Sequence, residues 1–316
     1  MFNIILISGA GQLGSRYLQG LAQCNLPLKI LVHDLSIKSL KIAKQRWEEV
    51  LIKNTLHEVS YITSLEELPT VIDIAIVSTA SRNRVAAVDS ISKNTHIKYW
   101  VLEKVLAQNL SDLDQLISTI NTSPAWVNTP RRLMPWHQSI KEHLKHTGPF
   151  KFDVKGGSWD LACNTIHLLD LFSWWSDESL KDISTKGLDQ NWFESKRLGY
   201  WEVTGELKAI YSGGSSANIN CDTSNEPVLI SLRNNNSWLI NESEGYAKNS
   251  QGIEINGIVK FQSDITALMV ESILLDGSCN LPSLKESAEL HKVFIHEMFN
   301  HWKMSSNPLA SFVPIT

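Results

Sequence analysis

A chain of 316 residues, 43% hydrophobic and 20% charged with a formal net charge of −4, has the make-up of a folded protein of one or two domains. The small negative excess gives no electrostatic case for nucleic acid or an anionic membrane as the main partner. Cys24, Cys163, Cys221 and Cys279 are scattered without CxxC spacing and no run of about 18 apolar residues offers a membrane span, so free thiols and a cytoplasmic location are expected.

Along the first part, Phe2–Ser8, Lys29–His33, Glu58–Ile62, Ile72–Thr79 and Ile97–Leu102 read as strands. Between them Gln12–Cys24, Ile37–Ile52, Arg82–Lys93 and Ser111–Ile120 carry apolar residues at helical spacing. Strands alternating with helices predict βαβ units and a parallel sheet. A sixth strand, Ala125–Asn128, stops at Thr129-Pro130, and a helix is expected from Arg132 to Lys145. After Gly148 the pattern changes. Phe152–Lys155, Glu202–Ser212, Ala217–Cys221, Val228–Arg233, Trp238–Asn241 and Ile258–Gln262 read as extended, with turns at Arg233–Ser237 and around Gly252–Gly257. Helices are expected at Leu161–Trp175, Ser263–Leu275 and Leu284–Lys303.

Gly9-Ala10-Gly11-Gln12-Leu13-Gly14 follows the first strand and opens the first helix. In that context Gly9 permits a tight turn, Gly11 lets backbone approach a pyrophosphate and Gly14 allows close strand–helix packing. The amides that begin the helix, at Gln12 and Leu13, then face the phosphates. Asp34 ends the second strand 20 residues after Gly14, where its carboxylate can accept from ribose hydroxyls and repel a 2′-phosphate. NAD is therefore expected over NADP, with Lys38 one helical turn on as the feature favouring the alternative. The expected fold is an N-terminal Rossmann domain with a parallel sheet (1–125). A C-terminal α+β domain (126–316) follows, with an open, mostly antiparallel sheet, for substrate binding and oligomerisation.

Val101-Leu102-Glu103-Lys104 places a lysine where the fifth parallel strand stops, and ligands bind at such carboxyl ends. Lys104 is a candidate for proton transfer at a reacting hydroxyl; the plainer reading is an exposed strand cap. Here the layout resembles the glucose–fructose oxidoreductase, inositol dehydrogenase and MocA family. That family carries a Glu-Lys-Pro motif after the fifth strand, matched by Glu103-Lys104 with Val105 in place of proline. The resemblance implies a catalytic role for Lys104 and puts Glu103, with Ser78, Thr79 and Arg82 at the end of the fourth strand, beside the cofactor. Capping of the next helix by Ser81 is the alternative for that turn.

Asn164, His167 and Asp170 recur at a spacing of three on one helical pattern. His167 could serve as acid/base, Asn164 orient a substrate and Asp170 fix the imidazole; a buried structural histidine is the alternative. Many members of the family that the chain resembles carry D-x-x-x-H-x-x-D on this helix. His167 and Asp170 match its last two positions, whereas Cys163 stands in place of the first acid. Arg131 and Arg132, at the carboxyl end of the sixth strand, suit a sugar-linked carboxylate or phosphate, or else surface pairing; Trp136 and His137 follow one turn later. The stretch through Gly156-Gly157-Ser158-Trp159 resembles members associated with surface-polysaccharide synthesis, which implies a sugar or nucleotide-sugar substrate with Trp159 in its site. His296-Glu297 and His301 have the wrong spacing for zinc, and no metal is expected.

The leading expectation is an NAD(H)-dependent oxidoreductase acting on a hydroxyl or keto carbon of a sugar, assembled as a dimer or tetramer. The alternatives are an NAD(H)-binding protein without turnover, which the Cys163 departure motivates, and a C=C or C=N reductase on the same fold.

Overall fold

The computed structural model describes residues 2–145, 147–305 and 307–316. In chain order its first elements are β1 (Asn3–Ser8), α1 (Gln12–Leu21), β2 (Leu28–His33), α2 (Ile37–Glu48), β3 (Glu58–Ile62), β4 (Val71–Val77), α3 (Ser81–Asn94), β5 (His96–Leu102), α4 (Leu110–Thr119) and β6 (Ala125–Val127). Then come α5 (Pro135–Leu144), β7 (Lys151–Lys155), α6 (Leu161–Ser176), β8 (Leu180–Leu188), β9 (Phe193–Glu194), β10 (Trp201–Glu202), β11 (Gly205–Tyr211) and β12 (Ser216–Cys221). The last are β13 (Leu229–Arg233), β14 (Ser237–Asn241), β15 (Tyr246–Asn249), β16 (Glu254–Asn256), α7 (Gln262–Asp276) and α8 (Leu284–Met304).

The chain forms two compact units. The first comprises 1–106, 112–128 and 260–285, the second 107–111, 129–259 and 286–316. In the first, six strands pair in parallel in the order β3-β2-β1-β4-β5-β6. Ile5, Leu6 and Ile7 of β1 and Ile74 to Val77 of β4 are fully buried. Strands covered on both faces need continuous apolar runs rather than alternation, which is why these segments stand out. Chain order reverses between β1 and β4, leaving the carboxyl-end crevice where such sheets bind ligands.

The reading by sequence assigned all of 126–316 to the second domain, but 260–285 packs with the first unit. Helix α7 lies against α1, burying Ile265, Thr266, Met269 and Val270. Gly20 permits this approach: a Cβ there would lie 2.6 Å from the Ser263 carbonyl oxygen.

The second unit is built on an eight-stranded sheet in the order β16-β15-β14-β13-β7-β12-β11-β8. Every pairing is antiparallel except β7 with β12. Its strands alternate. Phe152, Val154, Ile230 and Leu232 are buried, while Asp153, Lys155, Ser231 and Arg233 line a groove on the opposite face. Helix α6 covers the apolar face, with Phe152 and Phe172 stacked at 4.2 Å between ring centroids.

Several local expectations are corrected. The helix expected from Arg132 divides into a 3-10 turn, Pro130–Leu133, and α5 from Pro135; proline lacks the amide a helix interior needs but suits a first turn. Ile258–Phe261 forms no strand, and α7 begins at Gln262. The expected strand Glu202–Ser212 is split, because Gly205 at φ +110 starts a new one. Within Gly252–Gly257, Glu254–Asn256 is itself an edge strand, paired with β15. The polar strands β8 and β15 were not anticipated.

Candidate functional site

The glycine loop is a close-packed turn. Gly9 has φ +99, and a Cβ there would sit 2.9 Å from the Thr79 amide nitrogen. A Cβ on Gly14 would fall 1.8 Å from the Gly9 carbonyl oxygen, so only glycine fits. Gly11 is the opposite case, since a Cβ there would have nothing within 4 Å. Gly11 caps α1 without any side-chain hydrogen bond, leaving the first-turn amides without a capping acceptor beside open space. That combination fits an anionic pyrophosphate.

Asp34 does more than close the second strand. Its Oδ2 accepts from the Ala10 amide at 2.7 Å and its Oδ1 from the Ser36 amide at 2.8 Å. The carboxylate thus draws the glycine loop towards the end of β2, and each oxygen keeps a lone pair for a hydroxyl. Gln12, exposed at the start of α1, receives Arg46 Nη2 on its Oε1 at 2.6 Å; sequence reasoning missed Arg46, which lies 34 residues away. Leu13 is half-buried and Lys38 exposed. Ser78 Oγ donates to the Gly9 carbonyl at 2.7 Å, locking β4's end against the loop. Thr79 follows with its hydroxyl buried and unpartnered. Arg82 is exposed, whereas Arg84 two residues on is 1% exposed. Ser81 is not the cap of α3: that position is Ala80, and Ser81 is the first helical residue.

At the end of β5 the two motif residues part. Glu103 is 3% exposed, and its Oε1 accepts from the Tyr17 hydroxyl and from Asn128 Nδ2 at 2.7 Å. It is an anchor beneath the strand end rather than an open ligand contact. Lys104 is half-buried, and its peptide bond to Val105 is cis. Tyr17 and Asn128 were missed because nothing local marks residues that meet 86 and 25 positions apart.

In the second unit, α6 carries the other predicted residues. Cys163, Asn164, His167 and Trp174 stay short of full burial on α6 and share one side of it at helical spacing; Ser173 and Ser176, the other residues of α6 that are not buried, lie on different faces. Asp170 is buried and accepts from Arg132 Nη2 at 2.6 Å, Arg132 Nε at 3.0 Å and the Thr129 hydroxyl at 2.8 Å. Burial pushes its carboxyl above the ordinary value, against the pull of Arg132 and Thr129. Asp170 is therefore tied to Arg132 and Thr129. Arg131 is likewise committed, its Nε and Nη2 reaching Glu242 at 2.7 and 2.6 Å. Burial opposes ionisation of Glu242, but Arg131 and His137 hold its carboxyl far below the usual range. His137 Nε2 lies 3.0 Å from Glu242, and burial lowers its pKa. Trp136 is buried beside it.

The turn into α6 is strained. Ser158 and Asp160 have φ 52 and 59, an arrangement that L-residues hold only where the surroundings impose it. Trp159 Nε1 donates to the Asn220 carbonyl at 3.1 Å, and Asn164 Nδ2 to the Trp159 carbonyl at 2.8 Å. The side chain capping α6 is Glu202 of β10, 3% exposed, which accepts from the amides of Ala162 at 2.7 Å and Cys163 at 3.1 Å. His296 is exposed and bonded to Asn300, while His301 is buried against Trp192. Among the described residues no helix is long and apolar enough to cross a membrane.

No family model matches the sequence, and no curated protein does. Solved structures do match over nearly the whole chain. An oxidoreductase from Agrobacterium radiobacter, in complex with NAD+, L-tartaric acid and magnesium, aligns at TM-score 0.71 and 14% identity, covering 96% of both chains. UDP-N-acetylglucosamine 3-dehydrogenase from Acidithiobacillus ferrooxidans aligns at 0.70 and 11% identity, covering 98% of this chain and 99% of that one. A transcriptional regulator from Kluyveromyces lactis aligns at 0.70 and 12%, covering 96% and 90%. At these identities the likeness establishes the fold, which is the one that the sequence resemblance implied: a Rossmann domain joined to an α+β domain with an open, mostly antiparallel sheet.

Proposed function

We propose that this chain is an NAD(H)-dependent oxidoreductase that transfers hydride to or from a hydroxyl or keto carbon of a sugar or nucleotide-sugar. The observation that carries the reading is the cradle at β1 and α1, with open space over Gly11 and Asp34 tied to the Ala10 amide at 2.7 Å. Lys104 follows the carboxyl end of β5 in the same sheet. Bound NAD supplies or takes up the hydride. Gly9 to Gly14 hold its pyrophosphate, Asp34 its adenosine ribose, and Ser78, Thr79 and Arg82 the remaining wall. Lys104 takes the proton of the reacting hydroxyl in oxidation and returns it in reduction. His167 is the second acid/base, with Asn164 and Trp159 on the substrate. The likeness to a UDP-N-acetylglucosamine 3-dehydrogenase supports a nucleotide-sugar substrate; a place in surface-polysaccharide synthesis is proposed on the sequence resemblance alone. A cytoplasmic homo-oligomer is the corresponding setting.

The test is fluorescence titration with NADH and NADPH, then turnover assays on nucleotide-sugars. Tighter binding of NADPH would refute the role given to Asp34. A dehydrogenase rate unaffected by Lys104→Ala would remove Lys104 from the chemistry. A second reading, a dinucleotide-binding regulator, is favoured by Cys163 in place of the family's first acid and by the likeness to a transcriptional regulator. NADH binding without turnover on any substrate would select it.

A further inference from the structure

Two backbone segments of the first unit meet at one buried cation. Residues 78–81 leave β4 and residues 103–106 leave β5. Arg84 of α3, 1% exposed, donates Nη1 to the Val105 carbonyl and Nη2 to the Thr79 carbonyl. The first carbonyl belongs to the residue after Lys104. The second belongs to the residue whose amide lies 2.9 Å from where a Gly9 Cβ would be, so it forms the wall of the glycine loop. On the other side of Lys104, Glu103 is held by Tyr17 of α1 and by Asn128. The Tyr17 hydroxyl keeps its proton, its pKa pushed well up by burial and then by Glu103, so it remains a donor. Asn128 Nδ2 also donates to Gln262 Oε1 at 2.7 Å.

Burying a guanidinium is costly, and an aliphatic side chain would fill the same face of α3 without that cost. What only the planar fork supplies is two donors in fixed relation, able to set two carbonyls against each other. We infer that Arg84 is a positioning residue: it fixes the backbone of Lys104 relative to the glycine loop by bridging the carbonyls of Val105 and Thr79. The inference rests on the role of Lys104 proposed above.

The experiment compares Arg84→Met and Arg84→Lys with the wild type and with Lys104→Ala, in the full-length protein. Arg84→Met is expected to lower kcat roughly ten- to a hundredfold, the scale of loss for a catalytic group displaced by about 1 Å. NADH affinity should stay within about twofold, and amide hydrogen exchange should accelerate across 103–106. Adding Arg84→Met to Lys104→Ala should cost nothing further, since the two act through one group. Arg84→Lys, which keeps the charge but reaches one carbonyl, should fall between, and it carries the same measurements if Arg84→Met does not fold. Unchanged kcat per folded molecule, or losses that multiply in the double variant, would overturn the inference, as would unchanged exchange at 103–106. If the wild type turns over no substrate, the proposed function fails by itself, and the exchange measurement still decides whether Arg84 holds this segment.

Discussion

At the scale of single residues, the arginines show how far sequence reasoning reaches. Arg131 and Arg132 look like anion ligands at a strand end, and each is paired with a carboxylate of the protein, half-buried Glu242 or buried Asp170. Their partners lie 111 and 38 residues away, and no local pattern announces such pairs. Removing one member leaves the other charged and buried, so Arg132→Ala should destabilise the protein by about 3–5 kcal/mol. Denaturant unfolding checks this; a loss within experimental error would mean that Asp170 is solvated or protonated at no cost. The glycine loop was legible because its constraints are local. Gly14→Ala puts a methyl group into the Gly9 carbonyl oxygen, and should abolish NADH binding in a titration while Gly11→Ala, with open space around it, perturbs the fold less.

At the scale of elements, periodicity located most helices and the inner strands, because those must bury a face. It failed for β8 and β15, whose polar residues need only pair at or near an edge. It placed the start of α6 at Leu161, where the structure has it, but not the side chain that caps it, which comes from elsewhere in the chain. Glu202 serves the Ala162 and Cys163 amides from 40 and 39 residues away. Glu202→Ala should cost about 1–3 kcal/mol, the penalty for orphaning buried donors, and should raise hydrogen exchange at the first turn of α6. Thermal melts that match the wild type would show that water replaces the carboxylate. Because Cys163 and Asn164 stand on this turn, the same variant should also alter substrate KM if their side of α6 is the substrate face.

At the scale of the whole molecule, acid should weaken the fold earlier than carboxylates alone would dictate. His33, His57, His137 and His301 all have pKa values lowered by burial. Below about pH 6.5 the unfolded chain takes up protons that these folded sites refuse. Their contribution is therefore complete above that pH and declines as pH falls towards their folded values. Glu242, with its folded pKa depressed, adds a contribution present above about pH 4.3 and lost in stronger acid. The melting temperature should already fall between pH 7.5 and 5.5, and His137→Gln should flatten that slope; a flat profile in the wild type would contradict the burial of these rings. The two-unit architecture was legible from the change of pattern after Gly148, but the return of α7 to the first unit was not, because α1 and α7 lie some 240 residues apart and meet through Gly20. That return has a consequence for biogenesis. During synthesis the six-stranded sheet can assemble early, but the α1 surface around Gly20 stays bare until residue 276 has emerged from the ribosome. Nascent chains are thus exposed to chaperone capture or aggregation at this surface through most of their translation.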